Sequence, residues 1–143
     1  MRGKHILMSI RPEYVQMILS GEKDVELRRR KPSFDSGTRI YVYSSSPEQA
    51  VVAWLVVGSV YWLPTDDLWK EYGFRTGISR EKFDNYVHGI PYACAIVLSR
   101  VERMPFPVDL GRIKGICKNF HPPQSYQFLN HGDPLRRQLE EQA

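Results

Sequence analysis

Cysteine is scarce in this chain: of 143 residues only Cys94 and Cys117 carry a thiol, and they do not form a CxxC pair. A disulfide framework or a thiolate metal site is therefore excluded as the basis of the fold, and a reducing, cytoplasmic setting is expected. Cys94 lies in the apolar run Tyr92-Ala93-Cys94-Ala95-Ile96-Val97 and reads as a buried structural thiol. The four histidines, His5, His88, His121 and His131, are scattered without helical or hairpin ligand spacing, so no metal is expected. No apolar run approaches the ~18 residues that cross a bilayer, which argues against a membrane partner. The longest, Val51–Val57, reads as a buried strand. The start of the chain is basic but meets Arg11 and Pro12 too soon for a signal peptide. A P-loop, a dinucleotide fingerprint, a nucleophile elbow and a helix-turn-helix are all missing, and no cofactor is expected.

What is present is an ordinary globular composition with 42% hydrophobic and 25% charged residues. The length fits one domain over 1–143, with a core at about 4–130 and a polar tail at 131–143. Net charge is +4, unevenly spread. Residues 1–31 carry eight Lys/Arg against four Asp/Glu, and residues 100–118 carry five against two. If the two segments meet, they form a surface suited to a phosphate backbone; charge of this size also simply aids solubility.

Local patterns give the elements. His5–Ile10 reads as a strand. Pro12 and Glu13 suit a first helical turn, Tyr14, Val15, Ile18 and Leu19 share one helix face, and Gly21 suits a left-handed stop. From Asp24 to Arg28 apolar and charged residues alternate at period two, the mark of a half-buried strand. Strands are expected at 38–43, 51–63 with a bend at Gly58, and 92–101; helices at 65–72 and 79–87. After residue 104, Pro105, Pro107, Pro122, Pro123 and Pro134 cut up the chain, and one helical turn is expected at 125–129. The sum is an α+β fold: a small mixed β-barrel of about five to six strands with short peripheral helices.

The most informative span is Gly21-Glu22-Lys23-Asp24-Val25-Glu26-Leu27-Arg28, a G-x-K-x-x-E-x-R pattern directly after a strand and a short helix. With its position, and with Tyr41-Val42-Tyr43-Ser44-Ser45-Ser46-Pro47 and Pro122-Pro123-Gln124-Ser125-Tyr126, it resembles the signature of the ASCH family in the PUA-like superfamily. The resemblance covers most of residues 4–130. It implies a ligand cleft between helix and barrel, and an RNA-binding or RNA-associated regulatory role. Some relatives are enzymes, acting on acylated cytidine nucleosides or proposed to cut RNA.

Carried over by position, the resemblance implicates Gly21, Lys23, Glu26 and Arg28. Physical chemistry supports them separately. Lys23 is a compact ammonium at a turn, able to reach a phosphate or a carbonyl. Arg28 offers a planar fork for bidentate contact. Glu26 shares its strand face and would hold Arg28, accept from a base amino group, or act as a general base. Lys23 and Glu26 would be the catalytic pair if the protein is an enzyme. The same three residues would equally serve as a salt-bridge network without a ligand. The amidohydrolase relatives place a threonine nucleophile where Glu26 stands, which weakens that activity here. Around the motif, Arg29 and Arg30 extend a basic run that would track phosphates. Tyr41, Ser44, Ser45, Gln124 and Ser125 are further candidates for ligand contact; Tyr41 and Tyr43, which share one face by alternation, and Tyr61, Trp62 and Tyr126 are candidate stacking platforms for unpaired bases. RNA or a nucleotide-like ligand is the expected partner; oligomeric state is not readable.

Overall fold

The computed structural model describes residues 3–143. The chain runs β1 (His5–Ile10), α1 (Pro12–Ser20), β2 (Val25–Arg28), β3 (Arg39–Ser44), β4 (Ala50–Pro64), α2 (Thr65–Tyr72), a 3₁₀ turn (Gly73–Arg75), α3 (Arg80–Tyr86), β5 (Tyr92–Asp109), α4 (Leu110–Ile116), β6 (Tyr126–Phe128) and α5 (Pro134–Gln142). Among the described residues no helix is long and apolar enough to cross a membrane.

The six strands form one mixed sheet in the order β2-β5-β4-β3-β1-β6. Among the described residues only β1 and β3 pair in parallel. The barrel is not closed by backbone pairing, because β2 and β6 remain its two edges. Side chains span the seam instead. Arg28 on β2 donates to the Ser9 carbonyl of β1 at 3.3 Å and to Ser125 Oγ, just before β6, at 3.2 Å. Beside it, the Phe34 and Tyr126 rings meet edge to face at 5.0 Å, and the Tyr126 hydroxyl accepts from the Ser33 N–H.

Alternation along the strands sorts the core into layers. Ile6, Met8 and Ile10 of β1 join Ile40 and Val42 of β3 under Val15 and Ile18 of α1. Leu7, Tyr41 and Tyr43 face the other way, onto Ile113 of α4 and Leu135 and Leu139 of α5. A third layer packs Val25, Leu27, Ala93 and Ala95 against Leu68 of α2 and Phe83 of α3. Each fully buried aliphatic side chain contributes about 1.5–3 kcal/mol.

Four sequence expectations need correction. The strand expected at 92–101 continues to Asp109, through Pro105 and Pro107. Its pairing with β4 is interrupted between Arg103 and Val108, so neither proline is asked for a ladder hydrogen bond there. The turn expected at 125–129 is instead strand β6, created by pairing with β1. In the second basic stretch Arg112 and Lys114 lie on α4 and Lys118 just after it, and none of the three lines a cavity with the motif. Residues 131–143, polar in sequence and readable as a helix or a frayed tail, hold helix α5, which is docked: Leu135 and Leu139 are buried, and the buried Arg136 donates to the Leu129 carbonyl at 2.9 Å.

The docking of α5 makes a pH prediction. Burial and the neighbouring Arg136 charge push His5 down from 6.5 to about 4; Arg39 and His131 push the same way and Glu140 opposes them. The native ring therefore refuses a proton that the unfolded chain accepts. Stability is complete above pH 6.5 and falls as pH drops toward 4. At about 1.4 kcal/mol per pKa unit, the loss reaches at most roughly 3 kcal/mol. Urea unfolding at pH 7 and pH 4.5 should show this loss in the wild type, and a smaller one in His5→Phe.

Candidate nucleotide-binding cleft

The site is built from the end of α1 outward. Gly21 adopts φ 87°, closing the helix as only glycine does cheaply. The chain then folds back so that the Lys23 N–H bonds to the Met17 carbonyl at 3.1 Å, which tucks the Lys23 side chain beneath α1. The loop after the 3₁₀ turn closes over it. Gly77 sits at φ 77°, and a Cβ there would come within 2.8 Å of Met17 Sδ and 3.3 Å of Lys23 Cβ. Arg75 clamps the loop with two hydrogen bonds to Asp24, at 2.8 and 2.9 Å.

Lys23 is only 3% exposed. Its ammonium has three protons and three acceptors: the carbonyls of Thr76 at 2.8 Å and Val25 at 2.9 Å, and Glu26 Oε1 at 3.2 Å. Glu26 is also buried, and its other oxygen accepts from Arg28 at 2.6 Å. Burial alone would raise the Glu26 carboxyl; the Arg28 and Lys23 charges outweigh it and hold the pKa below the usual range. Lys23, Glu26 and Arg28 thus form a chain of alternating charge. Its outer member, Arg28, reaches across the seam, and its Nε has no hydrogen-bond partner among the described residues.

Above this chain lies a cleft of about 900 Å³, in the size range of a small-molecule site. Its walls come from α1 (Glu13, Tyr14), α3 (Lys82, Asn85, Tyr86), the loop after β3 (Ser45, Ser46, Gln49) and the segment before β6 (Pro122, Pro123, Gln124). Tyr43 is 2% exposed, lines the cleft, and its hydroxyl has no partner among the described residues. Burial raises its pKa, so the group is a neutral donor. Gln49, at φ 52°, is the one non-glycine residue with positive φ among the described residues, and it too lines the cleft. A second, smaller cavity of about 390 Å³ is lined by Arg28, Arg29, Arg30 and Lys31, and shares Arg28 and Tyr86 with the first.

The expected residues therefore divide. Lys23, Glu26, Arg28, Ser45 and Gln124 line the cleft. Arg29, Arg30 and Ser125 line the neighbouring basic groove. Gly21 shapes the turn and lines neither cavity. Ser44 is fully buried and lines neither. Tyr41 needs correction: it is fully buried in the layer under α4 and α5, where its hydroxyl accepts from Arg39 at 3.5 Å. Tyr43 lies two residues on, where β3 ends and the same face opens into the cleft. Alternation pairs the two tyrosines but cannot say which one stands at the rim. Tyr86 and Asn85 were not legible at all, since α3 reaches the cleft only through the excursion between β4 and β5.

The ASCH domain family model matches residues 8–101. A Zymomonas mobilis protein described as an ASCH domain-containing ribonuclease is 32% identical over 127 residues, covering 88% of this chain and 84% of that protein. The large ribosomal subunit protein uL22 of Ureaplasma parvum is 28% identical over 125 residues; these are 87% of this chain but 39% of that protein. The crystal structure of ASCH from Zymomonas mobilis superposes with a TM-score of 0.89 at 28% identity, covering 98% of this chain and 96% of that one. Serine-to-alanine and tyrosine-to-phenylalanine mutants of the Zymomonas protein match equally well, each at 0.89.

Proposed function

This chain belongs to the ASCH domain family, and on that premise we propose that its cleft binds one nucleotide of an RNA strand whose flanking phosphates follow the basic groove. The observation that carries the reading is the lining that the two cavities share at Arg28 and Tyr86. A partly apolar cleft with a few polar and charged groups in its walls suits a base and ribose, and a groove with four cations suits phosphates. Tyr43 supplies a buried hydroxyl to a base edge or a ribose oxygen. Arg28 faces both cavities and contacts the phosphate between them. Lys23 and Glu26 are positioning residues: their bonds are spent on each other, on the backbone and on Arg28.

A second reading, cleavage of the bound RNA, is favoured by the ribonuclease description of the Zymomonas relative. There Arg28 would meet the negative charge that develops on the phosphate oxygens. Glu26 is a weak base in this setting, because the two cations that hold it ionised also hold its proton affinity down. In either reading the protein is an RNA-associated factor, and a regulatory role would follow from which RNA it captures.

The test is a titration of labelled single-stranded RNA against wild type and Tyr43→Phe, with the RNA then run on a denaturing gel. The lost hydroxyl contact should weaken binding about five- to tenfold. Melting temperature should not fall, since that hydroxyl satisfies nothing inside the protein. Intact RNA on the gel would leave binding alone; cutting by the wild type would add the cleavage reading. Equal affinity of the two proteins would remove Tyr43 from the site, and no affinity at all would end the RNA reading.

A further inference from the structure

Three tryptophans occur in the chain, and only one offers an exposed ring. Trp54 is buried, with the Arg39 and Arg100 guanidiniums 3.9 and 4.8 Å from its ring. Trp69 is partly buried and packs on the core residue Phe83. Trp62 is 38% exposed and lies flat against Tyr92, itself 43% exposed, with centroids 6.1 Å apart and planes 16° apart. The pair presents flat aromatic surface to solvent.

Register shows what lies beside it. Arg28 of β2 pairs with Cys94 of β5, and Cys94 pairs with Trp62 of β4. Residues in register share a sheet face, so Arg28, Cys94 and Trp62 form one row, with about 4.8 Å between neighbouring strands. One step further along the same face of β5 stands Tyr92. The basic run leaves β2 at Arg28 and proceeds toward this same end of the sheet. Arg28 and Lys31 both lie close enough to Cys94 for their charges to act on its thiol. By register the aromatic pair stands one strand (Tyr92) and two strands (Trp62) from β2 at its Arg28 end, outside the lining of the Arg28–Lys31 groove itself. It also stands where β4 has lost its other neighbour, because β3 pairs with β4 only as far as Val56.

We infer that the Trp62–Tyr92 pair is a stacking subsite for an unpaired nucleobase next to the nucleotide in the cleft, reached by the strand along the Arg28–Lys31 groove. The inference rests on the RNA reading above. A flat ring pair takes any base, because every base has a π face. The cations of the groove hold the phosphates that tether that base. Recognition would therefore be divided. The cleft reads one nucleotide through Tyr43 and its neighbours, and the platform adds affinity without sequence preference.

The test uses oligouridines and oligoadenosines of one to eight nucleotides against wild type, Trp62→Leu and Tyr92→Leu. Affinity comes from anisotropy of labelled RNA, and tryptophan fluorescence is followed with unlabelled RNA. Wild-type affinity should rise about tenfold once the oligomer is long enough to reach the platform, with tryptophan quenching appearing at the same length. Both variants should lose that step and keep wild-type affinity for the shortest ligands. Circular dichroism should show unchanged melting. If Trp62→Leu retains the step, the platform is refuted while the cleft reading stands, provided that short ligands still respond to Tyr43→Phe. If light scattering shows a wild-type dimer that Trp62→Leu dissociates, the pair is a protein interface and the inference is overturned. If wild type binds no oligomer, both readings fall together.

Discussion

Glu26→Ala should cost about 3–5 kcal/mol of folding stability, the range for breaking a buried ion pair from one side. The reason is what it leaves behind. Lys23 is held beneath α1 by the Thr76 and Val25 carbonyls, and its ammonium would keep those bonds but lose the one anion it meets among the described residues. Arg28 would lose its 2.6 Å acceptor while still spanning the seam to Ser9. Glu26→Gln keeps the shape and one acceptor, so it should fall between alanine and wild type. Chemical denaturation followed by circular dichroism measures all three. The pH dependence has a definite sign. The carboxyl pKa is depressed in the folded state, so its stabilisation is present above the ordinary value of 4.5 and is lost as pH falls through the folded pKa. That acid-limb contribution should be absent from Glu26→Ala. A cost below about 1 kcal/mol would place the trio with exposed ion pairs, which contribute little.

The motif was legible because each of its residues follows from local physics. Gly21 ends a helix whose apolar face is plain in the sequence, and the period-two alternation after it fixes which side chains share a face with Arg28. Most strands declared themselves the same way. Elements made by tertiary contact did not. Strand β6 has three residues, too few for any period, and exists because Tyr126–Phe128 pairs with Ile6–Met8. Helix α5 hides its apolar stripe in two leucines, Leu135 and Leu139, among charged neighbours. Pro105 and Pro107 read as breaks, yet they fall where the β4–β5 ladder is already interrupted.

The site divides along the same line. Spacing brought out Lys23, Glu26 and Arg28, but an outward-reaching lysine and one bonded on all three protons have the same sequence signature. Only packing distinguishes them, and here the Gly77 loop decides it by closing over the side chain. Of the motif's two cations, Arg28 is the one that lines both cavities. The charge count had suggested that two basic segments cooperate. The second is divided between β5 and α4 and lines neither cavity, and the run from Arg28 to Lys31 supplies all the cations of the groove.

That groove makes the second large prediction. Four cations on a single strand give a log–log salt slope of about −0.7 per neutralised phosphate, or about −2.8 in all. Raising salt from 50 to 200 mM should then weaken RNA binding about fifty-fold. In Arg29→Ala/Arg30→Ala the slope should drop to about −1.4 and the same salt change should cost only about sevenfold. Affinity at low salt should fall by a similar factor for every sequence, because phosphate contacts position a strand without reading it. Both arginines are exposed and neither forms an ion pair among the described residues, so stability should change by no more than about 0.5 kcal/mol. The double mutant therefore separates two contributions that any substitution of Arg28 would confuse, since Arg28 holds the seam as well as facing the ligand. A slope unchanged by the double substitution would place the phosphates elsewhere, and the groove would then be no part of the RNA path.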